Sequence, residues 1–432
     1  MKYETIKSFI LAVLVGISFL LTFILWSYQP NYDDIYDKSY VNEVDVGGSE
    51  KTKNEIVEPN EIIFRNGEKI MSFIDPVDRK AFYEDLTSFV LSDYNITEST
   101  GRPNEDELFI ELVFPNAVPA GLITSLFTFH DEVNPPNWSF ERVFITFDKE
   151  HHSLELRILS LDERNQITAT IEKSDTYEKL MAYMEDHSDL EEYIIFASTN
   201  APIYLPKGKV DLTKQTLVAS NIESDLFINA LFSNPSLVQP NVREAYFTDG
   251  QRGMRILQDG HRLEFINPLQ STYEPLDPFD LLEKSINNIN EHKGWTNDFR
   301  LEDIDKLDNH ITYRLYYDGY PVFDHSSLTT IDQEWREQEL YHYSRPLLKV
   351  GNLLNAEEVN LPSGQEVSNI LKNDGSKSID EVKDIQIGYT LTYLDDAHGL
   401  TLQPNWYILY QDKWMEFNIA DNQKDMHQEG GG

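Results

Sequence analysis

Residues 9–26 read FILAVLVGISFLLTFILW, eighteen positions with no charge and no proline, interrupted only by Gly16, Ser18 and Thr22. An α-helix rises about 1.5 Å per residue, so this run spans roughly 27 Å, close to the hydrocarbon thickness of a bilayer. A helix on a soluble core keeps one polar face, whereas this one is apolar all round. The flanks set its direction. Lys2 and Lys7 precede it against a single Glu4, while Asp33, Asp34 and Asp37 follow it, and no cation stands between Lys7 and Lys38. The positive-inside rule then predicts a cytoplasmic stub at 1–7, a single-pass anchor at 8–28 and an extracytoplasmic remainder. The rival reading is a cleaved signal peptide. Against it, the run is longer than an ordinary signal core, and Trp26, Tyr28 and Pro30 stand where small cleavage-site residues belong.

Within the anchor, Ser8, Ala12 and Gly16 lie four apart on one helix face, and Ser18 and Thr22 repeat the spacing. Small residues let a second membrane helix approach closely, which makes these five the candidate partner-binding residues. Small residues are also common in membrane helices that bind nothing, so the stripe alone decides little.

Outside the anchor, about 400 residues are enough for two or three domains. The 36 Lys and Arg face 74 Asp and Glu, a formal charge of −38. Such a surface repels nucleic acid, anionic headgroups and anionic wall polymers. With no cysteine, disulfides, thiol catalysis and cysteine-ligated metals are excluded. The 23 Tyr and 23 Phe favour a strand-rich fold.

Residues 29–60 are acidic, poor in large aliphatics and centred on Gly47-Gly48, which predicts a tether. A first α+β domain is expected over 61–192. Its helix is capped by Asp78 and runs to Leu91, and strands follow near 107–114, 143–147, 154–159 and 167–171. Asp175 and Glu178 predict a further helix over 177–185. A central domain, 193–275, combines a helix capped by Ser224 with a meander at 244–248, 254–258 and 263–266. A C-terminal domain, 276–420, opens with Asp277-Pro278 before a helix to His292, with Gly294 as its C′ residue. It continues with a hairpin turning at Asp318-Gly319, a capping box of Ser363 and Glu366, and strands near 385–394 and 406–417. Residues 421–432 read as a loose tail. The predicted fold class is therefore α+β, an N-terminal transmembrane helix followed by three units of antiparallel sheets packed with helices.

No catalytic template fits. HExxH, GxSxG, the P-loop and SxxK are all absent. His151-His152 is expected on a solvated turn between strands, and Asp395-Asp396 with His398-Gly399 reads as another turn. With 74 acids a chance carboxylate pair is certain, so counting them discriminates nothing. No catalytic, cofactor or metal residue is assigned. The aromatic hairpins, with Tyr313, Tyr316, Tyr317 and Tyr320, then Trp406, Tyr407, Tyr410 and Trp414, suit half-buried sheet positions better than a ligand surface.

The flanks MKYETIKS and YQPNYDDIYDKSY, with LPKGKVDL at 205–212, YFTDG at 246–250, GYPVF at 319–323 and LQPNWYILYQDKW at 402–414, resemble the YycH (WalH) family of low-GC Gram-positive bacteria. The resemblance spans nearly the whole chain and rests on the order of the motifs. It implies a non-enzymatic regulator that acts outside the membrane with a YycI-like sister protein. Together the two restrain YycG (WalK), the sensor histidine kinase of an essential two-component system for cell-wall homeostasis. It also implies a three-domain ectodomain and gives the anchor a role against the kinase's membrane helices. The alternatives from other classes are an anchored cell-wall enzyme, which a cleft of perturbed carboxylates would favour, and a small-ligand sensor with an aromatic pocket.

The anchor reading has a direct test. The mature protein should retain its first 30 residues and stay in the membrane fraction after a high-salt wash. A soluble form starting near residue 28 would show a signal peptide instead.

Overall fold

A computed structural model describes residues 44–417, apart from 172–173, 186–187, 197–200, 242–244, 269–273, 337, 374–377 and 395–398. The anchor and the tail at 421–432 lie outside the described residues. Among the described residues, the strands form two sheets. Ten strands between Glu61 and Pro206 make the first, and fourteen between Val210 and Glu416 make the second. Pairing is antiparallel except between Val90–Glu98 and Thr128–Phe129, and between Tyr320–Phe323 and Val382–Leu394. Helices pack on both, giving the α+β class. The stretches read as central and C-terminal units share the second sheet, joined where Arg262–Ile266 pairs with Glu339–Pro346.

On the first sheet, helix Pro76–Thr87 buries Phe82, Tyr83 and Leu86. Phe82 meets Phe64 edge-on at 5.3 Å and Tyr183 at 4.8 Å, the latter from helix Ser174–Glu185. The second sheet carries helix Pro278–Asn290, whose Leu281, Leu282, Ile286 and Ile289 face inward. Its one inward polar group, Ser285, accepts a 2.7 Å hydrogen bond from the buried Tyr313 hydroxyl. That bond keeps both groups satisfied inside the core.

Several expected boundaries shift for physical reasons. The first helix starts at Pro76 and not beyond Asp78, because Asp75 caps it through the Val77 N–H at 2.8 Å and Pro76 suits the first helical position. It ends at Thr87, since Val90 already opens a strand. Ser224 is the first helical residue, with Glu223 at the N-cap position. At the end of Pro278–Asn290 the left-handed residue is Lys293 (φ 50°), not Gly294. The glycine is needed for room, since a Cβ there would stand 2.7 Å from Ile289 and His292. The box of Ser363 and Glu366 forms as expected, with bonds of 3.2 and 2.9 Å in the two directions.

Residues 44–60, read as tether, differ most. Val46, Ile56 and Val57 are buried. The Val46 N–H donates to His292 O at 3.1 Å, and Ser49 forms an antiparallel bridge with Trp295. The segment is held by backbone hydrogen bonds, which composition does not register. It therefore crosses the second sheet's helix end before the chain enters the first sheet at Glu61.

The two sheets meet over buried charge. Arg300, on strand Phe299–Asp305 of the second sheet, binds Glu58 at 2.7 Å and Asp298 at 2.9 Å. Its guanidinium also lies 4.5 Å from the centre of the Tyr316 ring. Glu58 takes Lys80 from helix Pro76–Thr87 at 2.8 Å, and Asp298 takes Lys51 at 2.6 Å. Beside this cluster, the Arg79 guanidinium donates to Gly319 O at 3.0 Å, and the Tyr316 hydroxyl donates to Asn60 Oδ1 at 2.9 Å.

The Asp318-Gly319 turn is a further contact between the halves. Both residues have positive φ, 48° and 76°, as a tight two-residue hairpin requires. A Cβ on Gly319 would stand 2.3 Å from Pro76 Cβ. Gly319→Ala should therefore combine left-handed strain with a clash and destabilise by about 2–4 kcal/mol. Gly67 has a similar φ of 62° but open space around it, so Gly67→Ala should cost only about 1–2 kcal/mol. Urea midpoints of the two variants check the difference, and equal losses would remove Gly319 from the junction.

Candidate functional site

Where the sheets meet, a cavity of about 430 Å³ opens between the two halves. From the first sheet, strand Glu61–Asn66 brings Glu61 and strand Leu190–Phe196 brings Glu191 and Tyr193. From the second, strand Val382–Leu394 brings Asp384, and the Gly319 turn brings Tyr320. Arg79 reaches in from helix Pro76–Thr87.

One wall is rigidly paired. Glu111 is buried and spends one carboxylate oxygen on Arg142 and the other on the Tyr204 hydroxyl at 2.6 Å. The Arg142 guanidinium also donates to Pro202 O at 2.9 Å, so strands Leu108–Pro119, Ser139–Asp148 and Ile203–Pro206 are tied together. Both oxygens of the buried carboxylate are thus hydrogen-bonded, as buried charge demands.

The remaining acids are held differently. Burial pushes the Glu191 carboxyl up to about 7, and the nearby Glu61 charge adds to it. Asp384 is pushed up to about 6 by burial, against the opposing pull of the Ile385 N–H and of Arg142. Burial raises Glu61 too, although Arg79 lies 3.8 Å away and the Ser72 hydroxyl donates to it at 2.9 Å. Tyr320 is pushed up to about 12 by burial. Neutral carboxyl groups at the junction donate hydrogen bonds that ionised ones cannot, so its bonding pattern changes with proton occupancy.

Sequence patterning missed these acids. A register irregularity between Val382 and Asp384 shifts the alternation, so the inward phase of the strand continues through Ile385. Glu61 and Glu191 stand at or next to the starts of their strands, where an acid reads as a solvated end.

Elsewhere the expected site residues scatter. Ser8, Ala12, Gly16, Ser18 and Thr22 lie outside the described residues, as do Asp395, Asp396 and His398. His151 and His152 sit on an exposed turn, where the His151 ring pairs with Asp148 at 2.7 Å and His152 has a φ of 50°. Among the described residues, no three His, Asp or Glu side chains converge to hold a metal, and no helix is long and apolar enough to cross a membrane. Tyr313, Tyr316, Trp406 and Tyr407 are buried, and Tyr317, Tyr320, Tyr410 and Trp414 are partly buried. Phe323 stacks on Tyr407 at 4.0 Å. These aromatics serve mainly as sheet core.

Two of the motifs that carried the resemblance lie at the junction. GYPVF supplies the Gly319 contact and Tyr320, while LPKGKVDL is the crossing from the last strand of the first sheet to Val210–Asn221 of the second. Residues 4–189 match the family described as YycH protein, N-terminal domain, and residues 200–424 match YycH protein, C-terminal domain. The chain belongs to the YycH family. It is similar to the two-component system WalR/WalK regulatory protein YycH of Bacillus subtilis (strain 168), with 23% identity over 94% of each chain. The crystal structure of YycH from Bacillus subtilis superposes with a TM-score of 0.73 at 19% identity, covering 87% of this chain and 100% of that one. That superposition shows that the YycH fold is shared.

The raised carboxyls give a signed pH dependence. Their folded values lie above the ordinary 3.9–4.3 of free Asp and Glu, so the stability they contribute is complete below that range. It is lost as pH climbs through about 6 and 7, the values of Asp384 and Glu191. The urea midpoint should fall between about pH 5 and 8, and Glu191→Gln or Asp384→Asn should flatten that fall and raise stability at pH 8. An unchanged slope in both variants would mean the carboxyls are already ionised at pH 5.

Proposed function

We propose that this chain is a membrane-anchored, extracytoplasmic regulator of a WalR/WalK-type two-component system. With a YycI-like sister protein it restrains the sensor histidine kinase (YycG/WalK) through transmembrane and ectodomain contacts, without catalysing a reaction. The observation that carries this reading is the pair of YycH domain matches over 4–189 and 200–424, together with a relative named as a regulatory protein. The apolar run at 9–26 supports the anchor, and the resemblance supplies the sister protein and the kinase. The cleft of raised carboxyls favours a second reading, acid–base chemistry in an anchored enzyme. Glu191→Gln with Asp384→Asn separates the two: a regulator keeps its output when folded, and an enzyme loses it.

The transmembrane contact is tested on the small-residue stripe. In lipid, apolar side chains gain nothing by leaving the bilayer for another helix, so association rests on close backbone approach. Gly16→Leu keeps the helix hydrophobic and places bulk on the face shared by Ser8 and Ala12. Co-purification with the kinase complex should fall at least several-fold, and a wall-hydrolase reporter should move as it does on deletion. Leu14→Ile, off that face, should change little. A Gly16→Leu variant that is made normally, co-purifies and still restrains the reporter would remove the stripe from the interface.

A further inference from the structure

Strand Leu348–Leu361 closes one edge of the fourteen-stranded sheet and, among the described strands, pairs with Val210–Asn221 alone. Positions 351–358 are exposed without a break. Among them Leu353 and Leu354 are 53% and 60% exposed, although strand alternation would turn one of two neighbours inward. Register shifts opposite Thr216–Ala219 break the alternation, so this stretch stands in solvent on both faces. At the start of the strand the sheet edge is covered. The Asn297 side chain accepts from the Val350 N–H and donates to Leu348 O, each at 2.9 Å. That cover ends at Val350. Beyond it, no described strand or side chain takes up the outer backbone groups of eight residues, about the length of one strand.

An open edge with adjacent exposed leucines is a template for strand addition, in which backbone bonds give affinity and side chains give selectivity. Its charge says what fits. Between 351 and 358 the only charged side chains are Glu357 and Glu358. Lys349, behind the cover, holds Gly47 O at 2.8 Å. Lys214 stands opposite Glu357 on the inner neighbour, and Glu358 faces Thr213. A second copy would bring −38 against −38. We propose that this edge takes an extended segment of a partner protein as an added strand, with aliphatic side chains at Leu353 and Leu354 and Lys or Arg against Glu357 and Glu358. The proposal needs no part of the regulatory reading.

Two end-capped synthetic peptides, KVTLLVTK and EVTLLVTE, test it with the full chain in mild detergent. Both carry the same apolar centre, and charge at each end allows either strand direction. KVTLLVTK should bind saturably and protect the amides of 351–358 from hydrogen exchange. EVTLLVTE should bind at least tenfold more weakly at low salt. The gap should close near 1 M salt, where screening acts within about 3 Å. The double variant Leu353→Lys with Leu354→Lys changes only exposed positions. It should keep the wild-type urea midpoint while losing at least tenfold in affinity for KVTLLVTK. Absence of binding by either peptide, protection elsewhere, or an unaffected double variant would overturn the proposal. Concentration-dependent self-association that protects 351–358 would overturn it in favour of a second copy.

Discussion

The Arg300 guanidinium is the group on which the junction depends. It is buried with Glu58 and Asp298 on either side and the Tyr316 ring across its face. A buried cation without its anions costs about 3–5 kcal/mol, so the partners must arrive together. They come from separate stretches. Glu58 precedes the first sheet, Asp298 stands two residues before Arg300, and Lys80 and Lys51 complete the neutralisation from a helix and from the N-terminal segment. Burial of one charge thus requires both sheets and the N-terminal segment to be in place. This account makes the junction cooperative where a purely apolar seam would tolerate slippage.

Much of the fold was legible because it is written in local signals. Caps at Asp277 and Ser363 and the turn at Asp318-Gly319 announce their conformations through single side chains, and the structure places all three. Strands with one buried face were also readable, as at Ser153–Leu159 and Asn165–Ile171. The two long strands Val210–Asn221 and Leu348–Leu361 were not. Both are broken by register shifts, and Leu348–Leu361 is largely exposed, so alternation does not run through the length of either. The packed N-terminal segment was missed for a related reason. Part of its hold is backbone pairing to His292 and Trp295, which leaves no periodic pattern in the side chains.

The candidate site was illegible in another way. Glu61, Glu191 and Asp384 come from three strands in two sheets, and each alone is an ordinary acid among 74. Their packing in the assembled fold draws them partly out of water and raises their proton affinity. Two of the motifs behind the resemblance, by contrast, fall in that region. GYPVF and LPKGKVDL lie where the sheets touch, which gives both a packing role.

The path of residues 44–60 has a mechanical consequence. A slack linker would absorb a displacement of the chain ahead of it by uncoiling. Here the segment runs along the helix end at His292 and Trp295, then reaches Arg300 through Lys51 and Glu58. Tension applied at Val44 is therefore borne first by those backbone bonds. It passes next to the ion cluster between the sheets, before any strand of the first sheet is stretched. The molecule transmits a pull directly to its own junction, as a taut strap does and a leash does not.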